Sequence, residues 1–156
     1  MKKQLIIVGI IVLLITVGLS GCSEESKTVF LNIGDSITVE KIKYTFLSAD
    51  WTESWGAYTY NLKIKGENLA NEEVTGYVAL LKYEMKNGYM YEHSEMFGTS
   101  IGTKFTINPG KEQIQTFTSS GEIDRDFLPV AKIHLDIRKS SNGYSYEYLK
   151  SIVLNV

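Results

Sequence analysis

Apolar and polar residues alternate with a period of two along most of the chain after residue 27. The clearest run covers residues 58–64, where Tyr58, Tyr60, Leu62 and Ile64 alternate with Thr59, Asn61 and Lys63. Successive side chains of a β-strand point to opposite faces, so this pattern predicts a strand with one face in a core and one in solvent. Similar runs cover residues 77–85, 133–137 and 144–156.

Turn residues separate these runs at short intervals. Asn87-Gly88 stands between two alternating runs and predicts a hairpin whose two turn residues have positive φ. Gly34-Asp35 and Asn108-Pro109-Gly110 predict further turns. The apolar parity changes at Glu40-Lys41, which predicts a bulge or a tight bend there.

No stretch after residue 27 has the 3.6-residue apolar period of an amphipathic helix. Roughly seven or eight strands, separated by turn signals, predict an all-β antiparallel β-sandwich, with a barrel as the alternative. Tyr144, Tyr146 and Tyr148 share a parity with Ile152 and Leu154, so we expect these tyrosines on the core face.

The first 21 residues have a different pattern. Lys2 and Lys3 precede an apolar run from Leu5 to Leu19, and Ser20-Gly21 follow. A basic start, an apolar segment and a small-residue exit are the parts of a secretory signal helix. The apolar run is shorter than the about 20 residues that a membrane-spanning helix needs. We therefore expect residues 1–21 to be a signal peptide.

Leu19-Ser20-Gly21-Cys22 resembles the lipobox of bacterial-type lipoproteins. The resemblance implies that Cys22 is lipidated and becomes the new N-terminus, on the extracytoplasmic face of the cell membrane. Residues 22–27 are then a lipidated tether, and residues 28–156 form the folded domain. Cys22 is the sole cysteine, which excludes an intramolecular disulfide. The alternatives are an uncleaved anchor helix and an unmodified cysteine.

The charge balance narrows the choice of partners. Loss of residues 1–21 leaves 135 residues with 14 basic and 18 acidic side chains, a net charge of −4. Nucleic acid is an improbable partner for such a chain, because phosphate binding needs a clustered basic face. We expect the membrane, through the lipid, and an unknown protein or small ligand at the cell surface as partners.

The order of the turn motifs is similar to that of Ig-like extracytoplasmic domains of unknown function, akin to telokin-like and mycobacterial immunoprotective antigen-like sandwiches. The motifs are Gly34-Asp35-Ser36-Ile37, residues 68–74, Asn87-Gly88-Tyr89, Pro109-Gly110-Lys111-Glu112 and Leu128-Pro129. The resemblance implies an Ig-like β-sandwich and no catalytic residues. The chain departs from this pattern at residues 112–118, where clean alternation is missing.

One motif has the letters of a catalytic site. Gly98-Thr99-Ser100-Ile101-Gly102 matches G-x-S-x-G, and Asp124 and His134 follow in hydrolase order. That motif works at a strand-to-helix turn of a parallel sheet, which the all-β pattern does not provide. We therefore expect no enzyme. The two histidines, His93 and His134, lack ligand-like spacing, so we expect neither zinc nor another cofactor.

Two groups of residues are candidates for binding. Trp51 and Trp55 stand in a segment that the pattern predicts to be a loop, although a tryptophan at the end of a sandwich often caps the core. The second group is an oxygen-rich turn formed by Glu67, Asn68, Asn71, Glu72 and Glu73. It is a weak candidate for Ca²⁺, and a solvated turn is the alternative.

Together these features predict a membrane-anchored surface lipoprotein with a non-catalytic binding or interaction domain. The alternative is a structural accessory subunit of a cell-envelope complex that pairs through an exposed sheet edge. A serine hydrolase centred on Ser100 is a weak third hypothesis.

The state of Cys22 can be measured directly. We expect the chain extracted from membranes to have the mass of residues 22–156 plus a lipid, because the lipobox directs cleavage before Cys22. Intact-mass spectrometry checks this, with Cys22→Ala as the unprocessed control. The unmodified mass of residues 1–156 would instead establish an uncleaved signal anchor.

Overall fold

A computed structural model describes residues 28–54, 57–92, 102–121, 129–140 and 146–156. The predicted signal peptide and tether, with Cys22, lie outside the described residues, as do Trp55, His93, Ser100 and Asp124. All regular structure in the described part is β. The strands are β1 (Thr28–Asn32), β2 (Ser36–Val39), β3 (Ile42–Ser54), β4 (Ala57–Asn68), β5 (Val74–Met85), β6 (Met90–Glu92), β7 (Gly102–Ile107), β8 (Glu112–Gly121), β9 (Val130–Ser140) and β10 (Tyr146–Asn155).

These strands form two sheets. One has the order β1-β10-β9-β5, with β6 and β7 both pairing with β5, and the other has the order β2-β3-β4-β8. The all-β prediction is confirmed, but ten strands replace the predicted seven or eight. Every pair in the described residues is antiparallel except β1 with β10, which is parallel. No described segment forms a helix long and apolar enough to cross a membrane.

Large side chains from both sheets form the core. Tyr44 and Phe105 make an edge-to-face contact between the sheets, with ring centroids 5.6 Å apart. Further along the strands the rings of Tyr60 and Tyr83 also meet between the sheets, tilted at 56° with centroids 5.3 Å apart. Each large side chain fully removed from water stabilises the fold by about 1.5–3 kcal/mol before entropy losses, so the sheets have a strong reason to pack face to face.

Bulges change the parity along four long strands. The register shifts between Phe46 and Ser48 in β3, between Leu80 and Lys82 in β5, between Tyr148 and Lys150 in β10, and at Ala131 in β9. Each extra residue moves the following side chains to the other face of the sheet.

The prediction of core-facing tyrosines in β10 is wrong for this reason. Tyr148 is opposite Arg138, whereas Ile152, beyond the bulge, is opposite the buried Leu135. Tyr146 therefore lies on the outer face, where it is 46% exposed and stacks on Tyr77 with centroids 4.6 Å apart.

Two predicted bends take defined forms. Val39 is opposite Ile42, so Glu40 and Lys41 are a two-residue hairpin turn, in which Glu40 has a φ of 52°. The hairpin at Asn87-Gly88 is confirmed, but only Gly88 has positive φ, at 84°. Met85 carbonyl accepts from the Gly88 N–H and Tyr89 carbonyl accepts from the Met85 N–H, which closes a three-residue loop.

The poor alternation of β8 has a structural cause. Gln113 and Gln115 occupy its inward-facing positions and reach across to the free edge of β7. The Thr106 N–H donates to Gln113 Oε1 at 3.0 Å, and Gln115 Nε2 donates to the Lys104 carbonyl at 3.4 Å. These bonds satisfy backbone groups that would otherwise invite another strand, so the β7–β8 side of the sandwich is closed.

Candidate functional site

Trp51 lies in β3, and its predicted loop position is wrong because β3 and β4 continue as a paired ribbon to Ser54 and Ala57. Trp51 is opposite Tyr60, whose side chain is buried, so the indole is on the core-facing side of its sheet. It is nevertheless 48% exposed. This position favours the capping interpretation while leaving part of the ring accessible.

The two ends of the sandwich carry different features. Trp51 and the β5–β6 loop lie at one end, here called the tip end, where Tyr60 and Tyr83 bring the two sheets together. The β2–β3 turn and the start of β5 lie at the other end. We call this second end the cavity end, for the cavity described below.

The oxygen-rich turn at residues 67–73 lies at the cavity end, and Asn68 organises it. Asn68 is buried at 5% exposure. Its Nδ2 donates to the carbonyls of Glu72 and Ile107 at 2.7 and 2.8 Å, and its Oδ1 accepts from the Ala70 N–H at 2.7 Å. The amide therefore joins the ends of β4, β5 and β7, and its oxygen is already occupied.

Two carboxylates of this turn form ion pairs with lysines. Glu72 pairs with Lys41, and Glu67 lies 3.3 Å from Lys43 and 3.5 Å from Lys65. Hydrogen bonding to Lys43 and Lys41 respectively holds the pKa of Glu67 and of Glu72 below the usual range. Asn71 and Glu73 are exposed.

These contacts favour the solvated-turn alternative, since a cation would have to displace three lysines. The described residues contain no group of three or more His, Cys, Asp or Glu side chains arranged for a metal ion.

His134 lies on the outer face of the first sheet. Its Nε2 is 3.3 Å from Glu84 Oε2, and Lys132 donates to Glu84 Oε1 at 2.7 Å. Beside this group, Ser151 Oγ donates to the buried Asp136 at 2.7 Å. The contact with Glu84 orients His134, and the described part of the chain brings no serine hydroxyl to it by hydrogen bond.

A cavity of about 190 Å³ opens between the sheets at the cavity end. Its apolar wall comes from both sheets, and its rim carries acidic and basic side chains. The lining residues are Val39, Glu40, Lys41, Ile42, Tyr44, Glu72, Glu73, Val74, Thr75, Gly76, Arg138, Lys139 and Leu149. Local residue patterns do not reveal this site, because its residues come from four separate segments of the chain.

Tyr44 brings a polar group into this apolar wall. Its side chain is 1% exposed, and burial, with the charge of Glu40, raises the pKa of the phenol, which stays neutral. A Cβ on Gly76 would lie 2.0 Å from the hydroxyl, so only glycine leaves space for it. A glycine inside a strand marks such a close approach, and Gly76 was the one sequence signal for this site.

Two ion pairs from a single turn frame the mouth of the cavity. Lys41 pairs with Glu72 in the β4–β5 connection, and Glu40 lies 3.4 Å from Lys139 of β9 in the opposite sheet. Both pairs are about half exposed or more, so each contributes little to stability. The mouth is therefore framed by contacts that can open at small cost.

No protein-family model and no curated protein sequence matches the chain. Solved structures with a similar arrangement include an uncharacterized β-sandwich protein from Clostridium difficile 630, at 13% identity and a TM-score of 0.44, covering 88% of this chain and 99% of that one. A conserved hypothetical protein from Bacillus anthracis is 16% identical with a TM-score of 0.42, covering 77% and 95%. A DUF1425 family member from Shewanella sp. pv-4 is 8% identical with a TM-score of 0.40, covering 69% and 89%.

Replacement of Asn68 tests its organising role. We expect Asn68→Ala to lower the free energy of unfolding by about 2–3 kcal/mol, because it leaves two carbonyls and one N–H without their partner. Urea unfolding measures this change. Asn71→Ala, in the same turn but exposed, is the matched control and should change stability by less than about 0.5 kcal/mol. Equal effects of the two substitutions would contradict the assignment.

The Glu84 cluster predicts a pH dependence. Lys132 and His134 hold the pKa of Glu84 below its usual range, so its stabilising contribution is present above the unfolded pKa of about 4.3 and is lost as the pH falls through the folded value. Urea unfolding at several pH values should therefore show wild type more stable than Glu84→Gln near pH 6, with the difference shrinking towards pH 3. Glu147→Gln, at an exposed position, should show no such pH-dependent difference.

Proposed function

We propose that the chain is an exported lipoprotein, anchored through Cys22 at the extracytoplasmic face of the membrane, whose β-sandwich binds a protein or small ligand through its tip end. The lipobox-like residues 19–22 and the sole cysteine support the anchor. Trp51 is the residue that we assign to binding, together with Trp55, which lies outside the described residues.

The direction of β1 carries this proposal. Thr28 is level with Ser151, and β1 runs parallel to β10 until Asn32 is level with Asn155. Asn155 is opposite Lys132, which pairs with Glu84 near the tip end of the first sheet. The chain therefore runs into the domain from the cavity-end side and towards the tip end.

An anchor attached to β1 would consequently hold the cavity end nearer to the membrane. Residues 22–27 reach about 20 Å when extended, at about 3.5 Å per residue. Trp51 lies about 30 Å along β3 from Ile42, at the usual rise of a strand. Loop and hairpin ends that carry accessible aromatic side chains are favourable contact sites. The tip end is thus the surface best placed to meet a partner away from the bilayer.

The accessory-subunit alternative requires an exposed sheet edge. Gln113 and Gln115 close the edge of β7, and the other terminal strands of the described first sheet and of the β2 side are β1, β6 and β2. These strands have only five, three and four residues. A partner strand would gain few hydrogen bonds there, so we rank this role second.

We also propose the finer Ig-like assignment of the sandwich and the absence of catalysis. The turns at Gly34 and Gly110 and the hairpin at Gly88 support the Ig-like resemblance, because all three glycines adopt the positive φ that those turn motifs need. The engagement of His134 with Glu84 supports a non-catalytic domain. Ser100→Ala tests the hydrolase hypothesis, which would be revived by a wild-type esterase activity that the variant lacks.

One pair of substitutions separates the two roles. We expect Trp51→Ala to weaken partner binding by about 30-fold, the effect of losing a contact worth about 2 kcal/mol at the centre of an interface. The measurement is crosslinking of the anchored full chain in intact cells, followed by quantitative mass spectrometry of the captured proteins.

Phe30→Ala is the matched control, because Phe30 is 68% exposed on the edge strand β1. Loss of capture with Trp51→Ala alone supports binding at the tip end. Loss with Phe30→Ala alone would favour edge pairing and an accessory role.

A further inference from the structure

The Tyr44 side chain is 1% exposed and lines the cavity, and no hydrogen bond joins its hydroxyl to another described residue. The hydroxyl is not sealed from solvent but opens onto the cavity, where a ligand or a water can complete its hydrogen bonding. The hydroxyl lies against the backbone of Gly76, which has no side chain, and both residues line the cavity. The cavity therefore offers a hydrogen-bonding group that the protein does not use.

One charged side chain of the cavity lining has no ion-pair partner among the described residues. Lys41 pairs with Glu72, Lys139 with Glu40, and Arg138 with Asp136. Glu73 is the remaining charged residue of the lining, and its carboxylate forms no ion pair with the described residues. The lining has three acidic and three basic residues, so Glu73 favours a cationic ligand group as an unpaired carboxylate and not through a net charge.

The size of the cavity limits the rest of the ligand. A cavity of about 150 Å³ lined by apolar side chains holds one benzene molecule, and this cavity has about 190 Å³. Val39, Ile42, Val74 and Leu149 supply apolar contacts. The space accordingly fits one ring or a short aliphatic chain with a single polar substituent.

We propose that this cavity binds a small monoamine whose apolar part is about the size of a benzene ring. The apolar part lies between the sheets against Ile42 and Val74, and the ammonium group is held at the rim by Glu73. The Tyr44 hydroxyl hydrogen-bonds to a polar atom of the ligand or to a water that accompanies it. The inference is independent of the proposed anchor and of Trp51, which lie elsewhere in the chain.

The turn at Glu40-Lys41 controls access to this site. It connects to both sides of the mouth through the ion pairs with Lys139 and Glu72. Glu40 holds a φ of 52°, a conformation that favours glycine and that costs a non-glycine residue free energy. Exposed ion pairs weaken as salt increases, so opening of the turn should become easier at high ionic strength.

Three small compounds with the same aromatic ring distinguish a preference for a cationic, a neutral or an anionic ligand. Benzylamine is cationic at neutral pH, phenol is neutral and benzoate is anionic. Isothermal titration calorimetry on the full chain in detergent micelles should give the tightest binding for benzylamine, weaker binding for phenol and none for benzoate. Absence of saturable binding by all three would overturn the site, and benzoate binding as tightly as benzylamine would overturn the preference for a cation.

Two substitutions locate the binding. Glu73→Gln should weaken benzylamine binding about 3–10-fold and leave phenol binding unchanged, because only the amine uses the carboxylate. Glu53→Gln removes the same charge from an exposed position at the tip end and should leave both unchanged. Equal effects of Glu73→Gln and Glu53→Gln would show a general charge effect and contradict the proposal.

Tyr44→Phe tests the hydroxyl without enlarging the cavity. It should weaken phenol binding about 2–10-fold, the usual range for one hydrogen bond. It should not lower the midpoint of thermal unfolding, because no described residue loses a hydrogen bond. A clear loss of stability would mean that the hydroxyl has a structural partner and would overturn its assignment to a ligand.

Discussion

Burial of the Tyr44 side chain between the two sheets is the interaction on which the cavity end of the molecule depends. The ring packs edge-to-face on Phe105 of the opposite sheet, with centroids 5.6 Å apart. Its hydroxyl lies over Gly76, where a Cβ would come within 2.0 Å. The sheets can approach closely at this point only because β5 has no side chain there. The same arrangement sets the position of β5 against β3 and places one polar group in the apolar wall of the adjacent cavity.

The two long edges and the two ends of the sandwich have different chemistry. Gln113 and Gln115 close the β7–β8 side with side-chain hydrogen bonds to backbone groups of β7. The β1–β2 side ends in short strands. The cavity end is polar and joined by ion pairs, whereas the tip end presents the half-exposed Trp51. A domain anchored through β1 would thus present unlike surfaces towards the membrane and away from it.

Residue patterns predicted the strands well and the faces less well. Alternation located β4 and β9, and turn residues located the hairpin at Gly88 and the turn at Gly110. Single-residue bulges in β3, β5 and β10 were not predicted, because one extra residue leaves no distinct composition. Each bulge reverses parity, so parity counted across the bulge in β10 gives the wrong face for Tyr146 and Tyr148. The polar neighbours of Trp51 predict a loop, although β3 and β4 continue as a ribbon beyond the core.

Local residue patterns are enough to predict the all-β class and the position of most turns, and they are the basis for expecting a lipid on Cys22. These depend on local periodicity, turn residues and a short contiguous motif. The three hydrogen bonds of the buried Asn68 amide come from the tertiary structure. So does the pairing of Glu67 with Lys43 and of Glu72 with Lys41. The cavity beside the Tyr44 hydroxyl likewise forms only when four separate segments of the chain come together. Such features arise from contacts between residues far apart in the chain, and a local residue pattern does not indicate which distant residues come into contact.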